Sequence, residues 1–514
     1  MMRAMKWLRS LAVFVCSGAW LSLMISWTGF SDPDAFYHAH ASLLLWQHGP
    51  LLSFPWLDLT LLGTSFADLH FLFHVFVAPF VAVFGEFQGL RIATVVLCAL
   101  FLTIFEACLR WLEVHWSVVW TTLLILMYAF VFRILLGKAT PLALIWYVLG
   151  LSAAWKRKPW LVCLAAFGYA LSHGGWIYLI GSIPLLIVGD VIFSRFVEEL
   201  SWRTALQRTM WRECLAAVGG VVLALLVHPN RAQIFVFLWT QVVTIGLLTP
   251  FKHVVLGTEW LPPDLGLFVD SMLPLLVLVG GGLVAFILAP RRPLELARAR
   301  LVTAFGLIVA VHVALTLKTR RDIEFLIPVL VIWCGMIWSL VDLRRLWNEF
   351  RRSRSWFLRT GPLIVGGAFC VLMSYQIYQE RIEFHPSTYP DAIYRTSMHA
   401  ISERAQPGDR VFHSSWDEFP MLFAADDRLK YISGMDPTFL YVASSTLSDQ
   451  YRDLTWGVTT STDAQAWSLI HDQLNAKFVF VSKPLHKKLL DLLKADTRFV
   501  QLEDTTDSAA FEVK

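Results

Sequence analysis

The sequence predicts a polytopic α-helical membrane protein carrying a C-terminal α/β soluble domain. Three observations carry that expectation. Of 514 residues, 56% are hydrophobic and 16% charged, whereas soluble globular domains carry about 25% charged residues. Apolar runs of about 20 residues, long enough to cross a bilayer, recur as far as residue 377, and the mean hydropathy is +0.57. From residue 379 onward the composition turns polar. We therefore divide the chain into a membrane domain, 1–378, with an outer loop at 31–70, and a soluble domain, 379–514.

The first element is "MMRAMKWLRSLAVFVCSGAWLSLMISWTGF". Its apolar run exceeds the roughly 7–15 residues of a signal-peptide core, and no small-residue cleavage site follows. It reads as an uncleaved first span, roughly 9–30, with Arg3, Lys6 and Arg9 on the cytoplasmic side. Further spans are expected near 69–85, 91–111, 117–135, 140–155, 160–194 (two), 214–228, 271–289, 301–317, 323–342 and 360–377. Basic clusters at 156–158, 291–300 and 342–359 read as cytoplasmic, and 194–213 as a cytoplasmic amphipathic helix. That places the C-terminal domain, the turn 318–325, the loop 229–270 and the turn 172–175 on the outer side. Counting sidedness from the two ends disagrees by one crossing within about 31–116, so an odd number of helices is expected, 11 or 13. The 23 Trp and 37 Phe fit the class, because aromatic rings collect at bilayer interfaces.

In the C-terminal part, "RAQPGDRVFHSSW" gives a turn and a short strand, and "KFVFVSKP" gives another. The helical patterns "TDAQAWSLIHDQLN" and "PLHKKLLDLLKAD" accompany them. Strands alternating with helices point to a small α/β domain.

The net charge of +4 is small for this length and implies no nucleic-acid partner. Seven Cys are present, all before residue 371 and without CxxC or Cys/His zinc spacing, so neither disulfides nor structural zinc are expected. P-loop, GxSxG, HExxH and dinucleotide motifs are absent. That disfavours ATP-driven transport and hydrolase chemistry.

The residues with chemical potential lie on the outer side. "SDPDAFYHAH" (31–40) puts Asp32 and Asp34 beside the first span, with His38 and His40 just beyond. The loop runs on through Asp58, Asp68, His70 and His74 among many apolar residues, as short interfacial helices. A carboxylate in such a surface can accept a proton from an acceptor hydroxyl or amide, or ligate Mg²⁺ or Mn²⁺ through oxygen. The simpler reading of "SDPD" is a helix N-cap, which does not preclude a functional Asp34. His70 and His74 share a helix face but lack an evident third ligand. In "KTRRDIEFLIP" (318–328), Lys318, Arg320 and Arg321 stand on the outer side against the positive-inside bias. Guanidinium groups bind phosphate bidentately; the simpler reading is a snorkelling pair matched by Asp322 and Glu324. Arg133 and Lys138 also stand at a span end, where either could simply anchor a helix.

An acidic residue just after the first span, many spans and a C-terminal outer domain together resemble the GT-C superfamily of polyprenyl-phosphate-dependent glycosyltransferases. The motifs are most similar to those of the oligosaccharyltransferase catalytic subunit. "DAFYHAH" resembles that family's Asp-plus-aromatic stretch, with Asp34 in the catalytic position and His40 where an Arg is usual. "DRVFHSSWDEFP" resembles its Trp-Trp-Asp-Tyr-Gly stretch, which recognises the acceptor peptide. Trp416 and Asp417 match the Trp-Asp pair, whereas Ser415, Glu418 and Phe419 depart from the pattern and put sequon recognition in doubt. Arg320 or Arg321 would fill the role of the family's phosphate-holding Arg. "DDRLKYISGMDPTFLY" (426–441) also has the look of a family signature, without an evident mechanism.

The resemblance implies a multi-pass enzyme of a bacterial-type inner membrane with its C-terminal domain on the periplasmic side. It would move a sugar from a polyprenyl-phosphate carrier to a glycan, lipid or protein acceptor; no nucleotide cofactor is expected if a lipid carries the donor. Asp34 would act as general base or metal-linked activator, with Mg²⁺ or Mn²⁺ as the metal, and Asp32, Asp68 and His70 as auxiliary groups. Lys318, Arg320 and Arg321 would hold the phosphate, and Trp416 and Asp417 the acceptor. Two alternatives from other classes are a transporter or flippase of lipid-linked intermediates, and a non-catalytic scaffold. A transporter should show charged or broken helices near the bilayer midplane, where Glu106 and His312 are the ionisable residues in question.

Overall fold

The computed structural model describes residues 2–240, 242–244, 257–289, 296–352, 356–384, 389–457, 463–483 and 485–514. Parts of the sequence-predicted segments 229–270, 291–300 and 342–359 lie outside the described residues. By contacts the chain forms two compact units, each discontinuous in sequence. One comprises 1–25, 94–224 and 258–387, and the other 26–93, 225–257 and 388–514.

The first unit is helical. Across the chain, seven described helices are long and apolar enough to span a membrane, or eight if Ser117–Ile125 and Tyr128–Ile134, bent by 75°, form one span. The protein is a multi-pass membrane protein. The sequence count of 11 or 13 also takes in shorter apolar runs, and the seven are counted among the described residues alone. Phe71–Phe84, Thr140–Trp155 and Pro159–Ser172 are shorter apolar helices; at about 1.5 Å per residue they fall short of the roughly 30 Å hydrocarbon core. The run 160–194 does form two helices, Pro159–Ser172 and Ile177–Phe196. The expected amphipathic helix over 194–213 is instead a short helix, Trp202–Gln207, followed by Trp211–Val227. Ser201 caps the short helix by accepting from the Thr204 N–H at 3.2 Å.

Burial ranks the spans within this unit. The apolar window of Arg320–Ser339 is 83% buried, and that of Lys6–Met24 only 17%. Ile177–Phe196 packs closely on Leu296–Lys318, because Gly189 lets the backbones meet: a Cβ there would lie 2.5 Å from the Ala304 Cα. Small residues at such crossings are a membrane-helix device. The intramembrane carboxylate of Glu106 is neutralised by Arg9 at 2.6 Å and Arg110 at 2.8 Å. His312, buried in Leu296–Lys318, joins Asp322 at 2.9 Å and the Tyr147 hydroxyl at 2.7 Å. Both intramembrane ionisable groups are thus partnered, as the bilayer interior demands.

The second unit holds the sheet. Strands β1 (Gly29–Phe30) and β2 (Tyr389–Pro390) pair antiparallel. Strands β3 (Arg410–His413), β4 (Lys430–Tyr431), β5 (Phe478–Ser482), β6 (Phe499–Asp504) and β7 (Ser508–Val513) form a sheet in the order β4-β3-β5-β7-β6. β3 runs parallel to β4 and β5, whereas β7 is antiparallel to β5 and β6. A core including Phe412, Val479, Val481, Leu489, Leu493 and Phe511 packs beneath it. The loop after the first span folds as expected into short helices, Asp34–His48, Pro55–Leu57 and Leu61–Ser65.

Three polar clamps hold this unit together. Arg91, fully buried, grips the Asp391 carboxylate with both terminal nitrogens and lies over the Phe30 ring at 4.2 Å. Asp58 takes Arg410 at 3.0 Å and Lys430 at 2.7 Å. His40 lies between Glu86, 2.9 Å from Nδ1, and Asp427, 3.3 Å from Nε2. Burial opposes its charging, but the two carboxylates prevail and raise its pKa to about 9. The imidazole is therefore a cation at neutral pH, at the position where the resembling family carries Arg.

Candidate functional site

The site is built on the start of the helix Asp34–His48 in the second unit. The Asp34 N–H donates to the Asp32 Oδ1 at 2.9 Å, an Asx turn that opens the helix. Capping thus falls to Asp32, and Asp34 is the first helical residue, half-buried. β1 runs directly into this turn. Its partner β2 brings Tyr389, whose hydroxyl is pushed above its ordinary pKa by burial and then by the negative charge of Asp417, Asp32 and Asp34. One tyrosine thus sits in the field of three of the carboxylates singled out in the sequence.

Asp417 arrives on a 3₁₀ turn, Trp416–Glu418, at the end of β3. A capping box between Ser415 and Glu418 locks that turn, satisfying two otherwise orphaned donors. His413 braces it from below, its ring donating from Nδ1 to the Ser415 carbonyl at 2.7 Å. Trp416 lines a hollow with Ser433, Ser448, Tyr451 and Trp456. The stretch "HSSWDEF" therefore departs from the resembling motif in residue type while forming a rigid strand-to-turn corner.

Asp68 and His70 lead into the helix Phe71–Phe84, which packs on the helix Asp34–His48. Asp68 is buried; its Oδ2 accepts from the His74 Nδ1 at 2.7 Å and its Oδ1 from the His70 N–H at 3.0 Å. Burial alone would raise this carboxyl, but His74 and His70 outweigh it and hold its pKa below the ordinary value. Tyr37, next along the helix from Phe36, feels the charge of both Asp68 and Asp34. The His70 ring meets the His38 ring edge-on at 5.0 Å. Oxygen donors suited to Mg²⁺ or Mn²⁺ are present in Asp32, Asp34 and Asp417. Among the described residues, however, no three His, Cys, Asp or Glu side chains are arranged to hold an ion.

The basic residues belong to the first unit. Arg320–Asp322 is a 3₁₀ turn between two spans. The Arg320 N–H donates to the Leu261 carbonyl at 3.0 Å, and Asp322 is held by His312 at 2.9 Å and Thr316 at 3.2 Å. Arg321 donates to Glu259 at 3.3 Å and lies over the Trp260 ring at 5.3 Å. Of the two acids expected to match the snorkelling arginines, Glu324 takes Arg133 at 2.9 Å and Asp322 takes His312 at 2.9 Å. Lys318 ends the preceding helix. Burial disfavours a charged Glu259, yet Arg321, Lys138 and Arg133 keep its carboxyl well below the usual range. Arg133 and Arg321 thus each reach one carboxylate at 3.3 Å, and the charge of Lys138 acts on it as well. Sequence reasoning noted Arg133 and Lys138 without assigning them to the site, and it missed Glu259, which no local signal marks. The only signal of the two cations was the placing of basic groups at a span end.

No family model and no curated protein sequence matches the chain. Solved structures do. The oligosaccharyltransferase AglB of Archaeoglobus fulgidus, in complex with an inhibitory peptide and a dolichol-phosphate, superposes with a TM-score of 0.60 at 12% identity, covering 98% of this chain and 74% of its own. ArnT of Cupriavidus metallidurans, bound to undecaprenyl phosphate, superposes with a TM-score of 0.56 at 13% identity, covering 99% and 97%. The chain has the fold of the GT-C membrane glycosyltransferases.

Proposed function

We propose that this protein is a glycosyltransferase that moves a sugar or glycan from a polyprenyl-(di)phosphate donor to a glycan, lipid or protein acceptor. The observation that carries the reading is the pairing of Asp32 and Asp34 at the start of one helix, through the 2.9 Å bond from the Asp34 N–H to the Asp32 Oδ1, with their charge and that of Asp417 acting on Tyr389. Like charges are held together in this way where they serve chemistry. The fold supports it, since AglB was captured with a dolichol-phosphate and ArnT with undecaprenyl phosphate. Asp34 takes the proton of the acceptor nucleophile. Arg320, Arg321 and Lys318, joined by Arg133 and Lys138, hold the phosphate and stabilise its growing charge as the sugar leaves. Trp416 and Asp417 line the acceptor side. Asp32, Asp68 and His70 support the base.

The lipid carrier supplies the leaving group, so no nucleotide takes part. Were Mg²⁺ or Mn²⁺ bound, Asp34 would be the residue to ligate it, and the ion would supply activation of the acceptor. The setting is a bacterial-type inner membrane, with the C-terminal domain and the Asp34 loop on the periplasmic side.

Transfer from a labelled lipid-linked sugar in proteoliposomes tests this. The Asp34→Ala variant should lose at least about 100-fold in rate, the size of a positioned base, and full activity would remove Asp34 from the role. Arg320→Ala and Arg321→Ala should chiefly weaken donor binding, and unchanged donor affinity in both would remove them. A flippase is favoured by one observation, the 75° break within Ser117–Ile134. Movement of the labelled lipid across the bilayer without transfer would select it.

A further inference from the structure

We propose that Asp68, His74 and His38 form a buried proton chain that serves Asp34, carrying off the proton that the acceptor loses on transfer. The inference rests on the transferase reading above and goes beyond the supporting role given there to Asp68.

The groups stand in one line. The Asp68 Oδ2 accepts from the His74 Nδ1 at 2.7 Å, and the His74 Nε2 meets the His38 Nδ1 at 2.8 Å. All three side chains are buried. The line fixes its own tautomers. With Asp68 ionised, His74 donates from Nδ1, so its Nε2 accepts from the Nδ1–H of His38, and the lone pair of His38 falls on Nε2. His38 follows Asp34 by four residues within the helix Asp34–His48, hence on the same face one turn further on.

The groups facing the chain hold it from every side. The His70 N–H binds the Asp68 Oδ1 at 3.0 Å, and its ring stands edge-on to His38. His228 accepts from the Asn230 N–H at Nδ1, so its Nε2–H donates to the Asp68 carbonyl at 3.0 Å. The Asn230 side chain accepts from the Asp68 N–H at 3.3 Å. Tyr37 lays its ring 5.8 Å from that of His74, and Phe73 closes the apolar side, 5.3 Å from His38. Three buried histidines, His38, His74 and His228, and one buried acid, Asp68, are a costly way to fill a core, since each buried polar group needs a partner. Packing alone asks for none of them.

The step balances. The acceptor oxygen forms its bond to the anomeric carbon, and its proton goes to the Asp34 carboxylate. The bond from that carbon to the phosphate oxygen breaks, and its electron pair leaves with the phosphate. Asp34 then passes the proton to the His38 Nε2. His38 passes the proton of Nδ1 to the His74 Nε2, and His74 passes its own from Nδ1 to Asp68, which becomes a neutral acid. Asp34 is a base again; once the product has left, Asp68 returns its proton to the His74 Nδ1, the His74 Nε2–H returns to the His38 Nδ1, and the His38 Nε2 releases its proton to solvent, which restores the starting tautomers.

Two readouts on the full-length protein test this, one of which needs no turnover. Proton NMR with ¹⁵N-histidine labelling in detergent should show the hydrogen-bonded Nδ1–H protons of His38 and His74 at neutral pH. The His74→Asn variant should lose the His38 signal. Their absence from the wild type overturns the chain, whatever reaction the enzyme catalyses. In the transfer assay, His38→Gln and His74→Asn should each lower kcat by about 10-fold or more. That is less than the 10²–10⁴ of a group acting directly on substrate, and the KM for the lipid donor should not move. The variants should differ from the wild type in the pH profile of kcat. Variants that keep the wild-type rate and pH profile, while Asp34→Ala is inactive, overturn the relay and leave the transferase reading intact. The solvent isotope effect on wild-type kcat decides the case where a variant fails to fold: a value of one overturns the relay.

Discussion

Replacing Arg91 with Met should loosen the attachment of β2 to β1 and so disturb the approach to Asp34. Arg91 makes two charge-assisted hydrogen bonds to Asp391 and stacks on Phe30. Each such bond contributes about 1.5–3 kcal/mol and the ring contact about 0.5–1 kcal/mol. Two effects offset this. The Arg91 Nε has no partner within the protein, and removing that stranded donor recovers about 1–3 kcal/mol. Asp391 remains 28% exposed, so water takes over part of its solvation. The net loss is about 2–3 kcal/mol. For a unit of about 230 residues, each kcal/mol moves Tm by about 2–4 °C, so the thermal transition in detergent should fall by roughly 4–12 °C. Arg91→Lys, which keeps one charge but not the fork, should fall between the two. A Tm for Arg91→Met within 1 °C of the wild type would refute the reasoning, because the clamp would then contribute nothing.

Four further outcomes are expected. His40 is held charged by Asp427 and Glu86 with a pKa of about 9, against about 6.5 unfolded. Its stabilisation, at most about 3 kcal/mol, is complete below pH 6.5 and lost as pH rises through 9, so Tm should drop over that window in the wild type and not in His40→Gln. Gly189→Leu should prevent Ile177–Phe196 from closing on Leu296–Lys318, since even a Cβ meets the Ala304 backbone; wild-type yield and Tm would count against that packing. Asp58→Asn weakens a partly exposed pair with Arg410 and Lys430, so about 1 kcal/mol at most should go. In the wild type that contribution should fade only as acid protonates Asp58, whose carboxyl those cations hold below its ordinary pKa against the effect of burial. Treatment with EDTA should abolish transfer, and Mn²⁺ or Mg²⁺ should restore it, if Asp34 works through an ion; undiminished transfer in EDTA assigns it to base chemistry.

Much of this architecture was legible because composition carries it. The spans follow from apolar runs, the strands at 410–413 and 478–482 from short apolar runs bounded by turns, and the Asx turn at Asp32 from "SDPD" itself. The hairpin β6–β7 left a weaker mark, because "FVQLED" and "SAAFEV" alternate poorly. Pairings between distant residues left none. Arg133 finds Glu259 across 126 positions, and Asp58 finds Arg410 across 352. Such partners are selected by the fold, and no local periodicity announces them. The histidines show the boundary well: the spacing of His70 and His74 suggested a shared face, yet His74 turns to His38 and Asp68, and His70 offers Asp68 its backbone.

The most direct measurement follows donor binding and sugar transfer in one preparation of Asp34→Asn. The labelled polyprenyl-phosphate sugar should bind as tightly as to the wild type while turnover is lost, because the amide preserves the helix start but cannot take a proton. Turnover at the wild-type rate from the bound donor would contradict this expectation.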